Sequence, residues 1–555
     1  MKNKHLFDWT GKVSSFRGCS FSQKWGERFS DLMLLLSVIL AGTAFPRLML
    51  SGGFPRTDDG YYVYVAQYLH HYIAGGYGMP DTGGLSLYPL LNAWVFSLNY
   101  NPFIALRLVD LVVAVFAAIL FYAMLKNESG SRVGAAVITL IFSFTLNQEI
   151  FIEHGFKNSI TAAFIPLFGA ICIGQRILQG RIPDKAWWIP GALVALAVTL
   201  REPFALFSAV GLIIVFIAGG KKPALRFLCG GVVSGMLLIG GILLWRGGVS
   251  EALLAYKNAG IVYGAVPDYT ILDHFIGHSR STMVHSLPAL IISVAALFFL
   301  AGIAFVRKNK KIILRLGFWL TFIAAGLVEP IMKIGFSYHF AIILPAFAGI
   351  CALALREIIC IWPAIARIKW LNEDRKNFMM IGGVVTLSIW VFLRCSALAD
   401  YWPMTLETLA AAPGGNWPEK FTGYSNYLLA AREIKKEIPE NGTLSVSGNM
   451  HALYPLTGHL PPSRLLDNLS ATTILLNLSV PAIQQTLLDC APDVIMTTTR
   501  NDWATGGGSA RLLEAVIDTG IYEVVTKIHL SNERHYGGYG GLIFRKTKET
   551  VCLTK

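Results

Sequence analysis

The chain has 555 residues, of which 54% are hydrophobic and only 15% charged; its mean hydropathy is +0.53 and its formal net charge +13. Soluble domains carry about 25% charged residues, so this composition excludes a soluble enzyme with one anchor and describes an integral membrane protein with several spans. In a soluble protein the positive charge would suggest nucleic acid. Here Lys and Arg concentrate in a subset of loops, no nucleic-acid motif is present, and a membrane orientation accounts for the charge.

A basic lead of about 30 residues precedes the first apolar run, which starts near Asp31. It is long for a signal peptide and shows no clear cleavage site, so the run reads as a retained span. Spans need roughly 20 apolar residues, and that length selects about eleven. They are 31–50, 103–125, 133–149, 158–177, 186–200, 203–219, 226–246, 286–306, 312–329, 338–357 and 378–395. The fifth and sixth are short and separated only by Arg201-Glu202-Pro203. Residues 85–99, interrupted by Pro89, read as an interfacial or re-entrant helix.

Charge then orients the spans. The lead, the turns at Lys126/Arg132, Arg181/Lys185 and Lys221/Lys222, and the stretches Lys308–Arg315 and Arg367–Lys376 are rich in Lys and Arg. The opposite segments hold only Arg56, Lys157, Arg201, Lys257, Arg280 and Lys333. The rich side is expected to be cytoplasmic. With an odd span count, residues 396–555 then lie outside a bacterial inner membrane.

That tail changes character. Strand-like runs at Thr443–Ser447, Asp493–Thr498, Tyr522–Ile528 and Leu542–Phe544 alternate with helical patterns at Ser425–Ile438, Pro481–Cys490 and Ala510–Asp518. The expected architecture is an all-α polytopic membrane domain (1–395) followed by a small extracytoplasmic α/β domain (396–555). The tail has no GxGxxG or P-loop, and no nucleotide cofactor is expected. None of the 8 Cys has zinc or CxxC spacing. Cys490 and Cys552 fall in the polar tail and could pair if it is extracytoplasmic.

The loops on the Lys-poor side hold the candidate chemistry. The first carries Asp58 and Asp59, then Tyr61 and Tyr62. Thr-Asp-Asp-Gly also suits a turn or helix cap, and Tyr is common at membrane interfaces, but acid pairs beside hydrocarbon are costly and usually functional. The second loop places Glu149, Glu153, His154 and Lys157 within nine residues. They form either a solvated cluster or an acceptor or metal site, with Asp59, Glu153 and His154 as possible ligands. The long loop at 247–285 contains His278 and Arg280 and reads as a substrate lid or an ordinary surface loop. Arg201, Lys333 and His339 either snorkel at the interface or bind a lipid-linked phosphate, since cations stabilise a phosphate leaving group.

A carboxylate facing a polyprenyl-phosphate site can deprotonate an acceptor hydroxyl, and direct displacement at a sugar carbon inverts the anomeric centre. The pattern resembles the GT-C superfamily of polytopic glycosyltransferases, especially the branch of protein O-mannosyltransferases and lipid A aminoarabinose transferases. Their first-loop acidic motif is matched by Asp58-Asp59-Gly60-Tyr61-Tyr62, with Asp in place of the usual Glu at the second position. Tyr88-Pro89-Leu90 with Asn101–Leu108 is similar to their re-entrant helix and following span. Gly335-Phe336-Ser337-Tyr338-His339 resembles a late span, and Val446–Asn449 with Tyr454–Arg464 an attached outer domain. The resemblance implies a polyprenyl-phosphate-linked sugar donor, a glycan, lipid or protein acceptor, and Asp58 as the base. An O-antigen polymerase or ligase would place its working residues in the middle loops, and a transporter would place them within spans.

Overall fold

The computed structural model describes residues 32–72, 87–156, 159–245, 271–307, 310–332, 336–365, 398–447, 450–462, 479–498, 508–530 and 539–548. The expected span at 378–395 lies outside them, as do Lys157, Lys333 and Cys552.

Among the described residues, eight helices are long and apolar enough to cross a membrane, making this a multi-pass membrane protein. The first, α1 (Leu32–Ser51), contains a π-helical turn at Leu40–Ala44. Pro46 follows it and has no N–H to give the Gly42 carbonyl. Asn147 supplies the missing donor, its Nδ2 lying 3.1 Å from Gly42 O. Two helices follow beyond the span: α2 (Thr57–Tyr72) and the short α3 (Leu87–Asn92), which runs into a 3-10 turn, Ala93–Ser97. The latter pair occupies the expected re-entrant segment.

The long span α4 (Pro102–Ser129) has both ends specified by sequence. Asn101 caps it through Phe103 N and Ile104 N, Pro102 fills the first turn, and Gly130 ends it in the left-handed conformation at φ 72°. Next come α5 (Arg132–Leu146), a single turn α6 (Glu149–Ile152), α7 (Ile160–Leu178), α8 (Trp188–Leu200), α9 (Ala205–Gly219) and α10 (Lys221–Trp245). The bundle continues with α11 (Ile271–Arg307), α12 (Lys310–Met332) and, after a 3-10 segment Ser337–Ile343, α13 (Leu344–Ile365). Two of the expected spans prove short: α5 has 15 residues and α8 has 13. Each is below the roughly 20 needed to cross alone. Asn147 stops α5 by folding its side chain back onto Ser143 O, and Pro203 disfavours helix at Glu202 just beyond α8.

The tail begins with α14 (Trp402–Ala411), which packs on the end of α1: Thr405 Oγ1 donates to Met49 O at 2.5 Å. Beyond it come α15 (Asn426–Glu437), β1 (Leu444–Val446), α16 (Leu453–Thr457), α17 (Val480–Asp489), β2 (Val494–Thr498), α18 (Gly508–Asp518), β3 (Tyr522–Leu530) and β4 (Tyr539–Lys546). The strands form one mixed sheet in the order β1-β2-β4-β3, with β1 parallel to β2 and the other pairs antiparallel. This is the α/β tail the alternation predicts.

Side-chain alternation along β2 places the sheet. Ile495 points toward Ile483, Leu487, Leu512 and Val516 of α17 and α18. Val494 and Met496 point the other way, into a cluster that includes Leu428, Ile434, Leu453 and Tyr454 of the tail and Val63, Tyr64 and Tyr68 of α2. One hydrophobic core therefore joins the tail to the membrane domain.

Charge inside the bundle is paired. Arg47 of α1 ion-pairs with Asp110 of α4, donates from Nε to Asn147 Oδ1 at 2.5 Å, and reaches Thr161 Oγ1 at 2.9 Å. Tyr88 Oη donates to Asp110 Oδ1 at 2.6 Å, and the Phe156 amide donates to Oδ2 at 3.2 Å. The Asp110 carboxylate thus ties α1, α3 and the 153–156 turn to α4. Removing one member of a buried pair strands the other. Asp110→Ala is expected to destabilise the protein by about 3–5 kcal/mol and Tyr88→Phe by about 1–3 kcal/mol. Thermal unfolding in detergent orders the two; a Tm loss for Tyr88→Phe equal to that of Asp110→Ala would contradict this account.

Candidate functional site

The acid pair opens α2, and the helix start divides its two members. Arg56 stands before the helix, with Gly60 N donating to its carbonyl at 2.9 Å. The Asp59 side chain reaches back to the Arg56 amide at 2.7 Å, the third-position acid of a capping arrangement. Its other oxygen ion-pairs with Arg107 of α4, and both side chains are 0% exposed. Arg107 also donates to Ser51 O at 2.8 Å and Gly53 O at 2.6 Å, fixing the link between α1 and α2.

Asp58 lies on another face of α2 and is half-buried. Its i+4 neighbour is Tyr62, which shares its side of the helix. Burial holds the Tyr62 phenol above its ordinary pKa, and Arg201, Asp58, Glu202 and Glu329 act on it electrostatically. Arg201 of the α8–α9 link is buried and ion-pairs with Glu329 of α12. His339 of the 3-10 segment lies 3.7 Å from the same Glu329 oxygen, and its ring packs 4.2 Å from that of Tyr338. Arg201, Glu329 and His339 therefore form one cluster drawn from three elements, two expected phosphate-binding candidates, Arg201 and His339, share it, and Arg201 and Asp58 both act electrostatically on Tyr62.

The second loop forms a neighbouring group. Arg56 Nη2 meets Glu149 Oε1 at 2.5 Å, and Tyr401 Oη donates to Glu149 Oε2 at 2.7 Å. Burial and that hydrogen bond push the Tyr401 phenol up to about 12. Glu153 and Phe156 hold φ of 50° and 53°. Positive φ is uncommon for such side chains, and strain of this kind concentrates at functional sites. His154 is buried with its ring 6.4 Å from Tyr401. Among the described residues no three His, Cys, Asp or Glu side chains converge in a manner suited to a metal, Asp59, Glu153 and His154 included. His278 packs 5.3 Å from Phe336, while Arg280 is exposed. Tyr61 lies 5.0 Å from His451 of the tail.

Sequence reasoning omits Arg107, Glu329 and His451 from the site. The signal for Arg107 was available: Arg107 and Asp110 sit three residues apart in an otherwise apolar span, where ionisable residues are expensive and kept for a purpose.

No family model matches the chain, and no curated protein matches it in sequence. Solved structures do match in fold. The oligosaccharyltransferase of Archaeoglobus fulgidus in its apo form aligns with a TM-score of 0.51 at 12% identity, over 85% of this chain and 70% of that one. ArnT from Cupriavidus metallidurans bound to undecaprenyl phosphate aligns with a TM-score of 0.51 at 12% identity, over 93% and 98%. This chain has the fold of both.

Two outcomes follow from the site's geometry. Asp59→Asn is expected to lower stability by about 3–5 kcal/mol, because Arg107 is left buried without its counter-charge. Asp58→Asn shifts it far less. Thermal unfolding of both variants decides, and equal losses would show that the two carboxylates are not differently held. Burial pushes the His451 imidazole down to about 4, so the fold favours its neutral form. The unfolded chain then binds more protons between about pH 6.5 and 4. The His451 contribution is complete above about 6.5 and shrinks as pH falls. Between pH 6.5 and 5, His451→Phe is expected to flatten the dependence of Tm on pH, and an unchanged slope would refute it.

Proposed function

We propose that this chain is an inverting glycosyltransferase that moves a sugar from a polyprenyl-phosphate donor to an extracytoplasmic hydroxyl of a glycan, lipid or protein. The observation that carries the reading is the half-buried Asp58 carboxylate on the same side of its helix as Tyr62, a phenol on which Arg201 of the Arg201–Glu329–His339 cluster also acts, set in a GT-C fold. Asp59 is spoken for by Arg107 and the Arg56 amide. Of the pair, Asp58 shares its side of the helix with Tyr62, and it is the one assigned the proton transfer.

In this mechanism the acceptor hydroxyl gives its proton to Asp58 while its oxygen attacks the anomeric carbon. The bond from that carbon to the phosphate oxygen breaks, and the lipid phosphate leaves with the electron pair. Arg201 and His339, with Lys333 nearby in sequence, neutralise its charge. Glu329 orients Arg201 and His339 through its shared oxygen. Tyr62 bridges base and cation cluster from the same helix as Asp58.

Two observations favour an outward-facing tail. Lys and Arg are sparse in the loops that carry the acid pair. Cys490 is disulfide-bonded, and disulfides persist in oxidising compartments.

General-base assistance contributes about 10²–10⁴-fold. Asp58→Asn is expected to lower transfer by that factor with membrane abundance unchanged. Mass spectrometry of lipids and surface glycans, from cells with the wild-type gene, without it and with Asp58→Asn, gives the measurement. One sugar substituent should disappear in the last two. Its retention in Asp58→Asn cells would remove Asp58 from the role of base.

A further inference from the structure

The tail does more than sit on the membrane domain: its 451–454 segment presses on the turn that presents the acid pair. Gly60 directly follows Asp59. A Cβ there would lie 2.5 Å from Ala452 Cβ, 3.0 Å from its Cα and 3.1 Å from its amide nitrogen. Real Cβ atoms do not come within 2.5 Å of one another, so the two segments touch because residue 60 has no side chain.

The aromatic contacts continue this line along α2. The His451 ring stacks on Tyr64 at 5.5 Å and meets Tyr61 edge-on at 5.0 Å, while Tyr454 stacks on Tyr64 at 4.5 Å. Tyr64, Ala452 and Tyr454 are all 0% exposed. Gln67 Nε2 reaches Tyr454 O at 3.5 Å. The segment is itself anchored in the sheet domain, since Val446 N donates to Tyr454 Oη at 3.2 Å and Leu444 N donates to Leu460 O at 3.1 Å. The start of α2 is thus held from two directions, by Arg107 through Asp59 and by the tail through Gly60, Tyr61 and Tyr64. Grips on the two residues that follow it, Asp59 and Gly60, fix where Asp58 points.

The geometry points to His451 and Ala452 as positioning residues that aim Asp58 from the tail domain. The inference rests on the reading of Asp58 as base. Neither residue touches the reacting atoms. They act through Gly60 and the two tyrosines, and a displaced base loses about 10²-fold for a shift of about 1 Å.

The test uses the full chain with Gly60→Ala, Ala452→Gly and the double variant. Two quantities are read: hydrogen exchange over residues 57–72 of the purified protein, and abundance of the transferred sugar substituent in cells. Gly60→Ala is expected to speed exchange and to lower product by at least about tenfold. The double variant, which removes the opposing methyl, should recover part of both losses, a coupling that independent sites do not show. Additive effects in the double variant, or wild-type exchange and product in Gly60→Ala, would overturn the inference. If Gly60→Ala does not fold, the pair His451→Ala and His451→Phe replaces it. Phe preserves the ring contacts and should restore what Ala loses; equal behaviour of the two overturns the proposal. Failure of the parent reading looks different, because Asp58→Asn would then retain product while the exchange data still report the grip on α2.

Discussion

The buried ion pair between Asp59 and Arg107 is the constraint on which the site depends. Both side chains are sealed from solvent, so neither can leave without stranding a charge in low dielectric. Arg107 uses its other terminal nitrogen, Nη1, on Ser51 O and Gly53 O, and Asp59 uses its second oxygen on the Arg56 amide. One pair therefore fixes the end of α1, the link after it and the first turn of α2. Asp58 inherits its position from the neighbour held in this way.

A second constraint acts at the same depth. Asp110 accepts from Arg47, Tyr88 and the Phe156 amide, and Arg47 continues to Asn147 and Thr161. Arg107 and Asp110 lie one turn apart on α4. That single helix thus serves as the post to which the acid helix, the re-entrant segment and the strained 153–156 turn are fastened. The Arg201–Glu329–His339 cluster approaches from the other side of α2, held by α8, α12 and the 3-10 segment. The site is an assembly of helix ends, each fixed by a buried charge rather than by a shared sheet edge or loop.

Much of this was legible in the sequence, and the reasons are physical. Apolar runs of span length can satisfy their backbone only as helices, so their order was readable. The strands of the tail were readable because β-branched runs alternate with amphipathic helices. Asp58 and Asp59 stood out because acids are rare beside hydrocarbon. What the sequence withheld were pairings across long separations: Arg107 finds Asp59 at 48 residues and Arg201 finds Glu329 at 128. Composition marks a buried charge as needing a partner but does not say which. The separation of Asp58 from Asp59 was likewise hidden, because adjacent residues look alike until helix phase turns one inward. The length of α5 was overestimated because an apolar run continues past the Asn147 that ends the helix.

The tail sheet carries a consequence for the protein's manufacture. β2 is covered on both faces, by α17 and α18 on one side and, on the other, by a core completed with residues of α2, α3 and α4. A tail released from the bundle would present Val63's and Tyr64's partners, among them Met450, Leu453 and Tyr454, to water as a contiguous apolar surface. Synthesis places the membrane helices first, so this surface emerges after its cover is already in place. Proteolytic cleavage between bundle and tail would yield an aggregating fragment rather than a soluble domain.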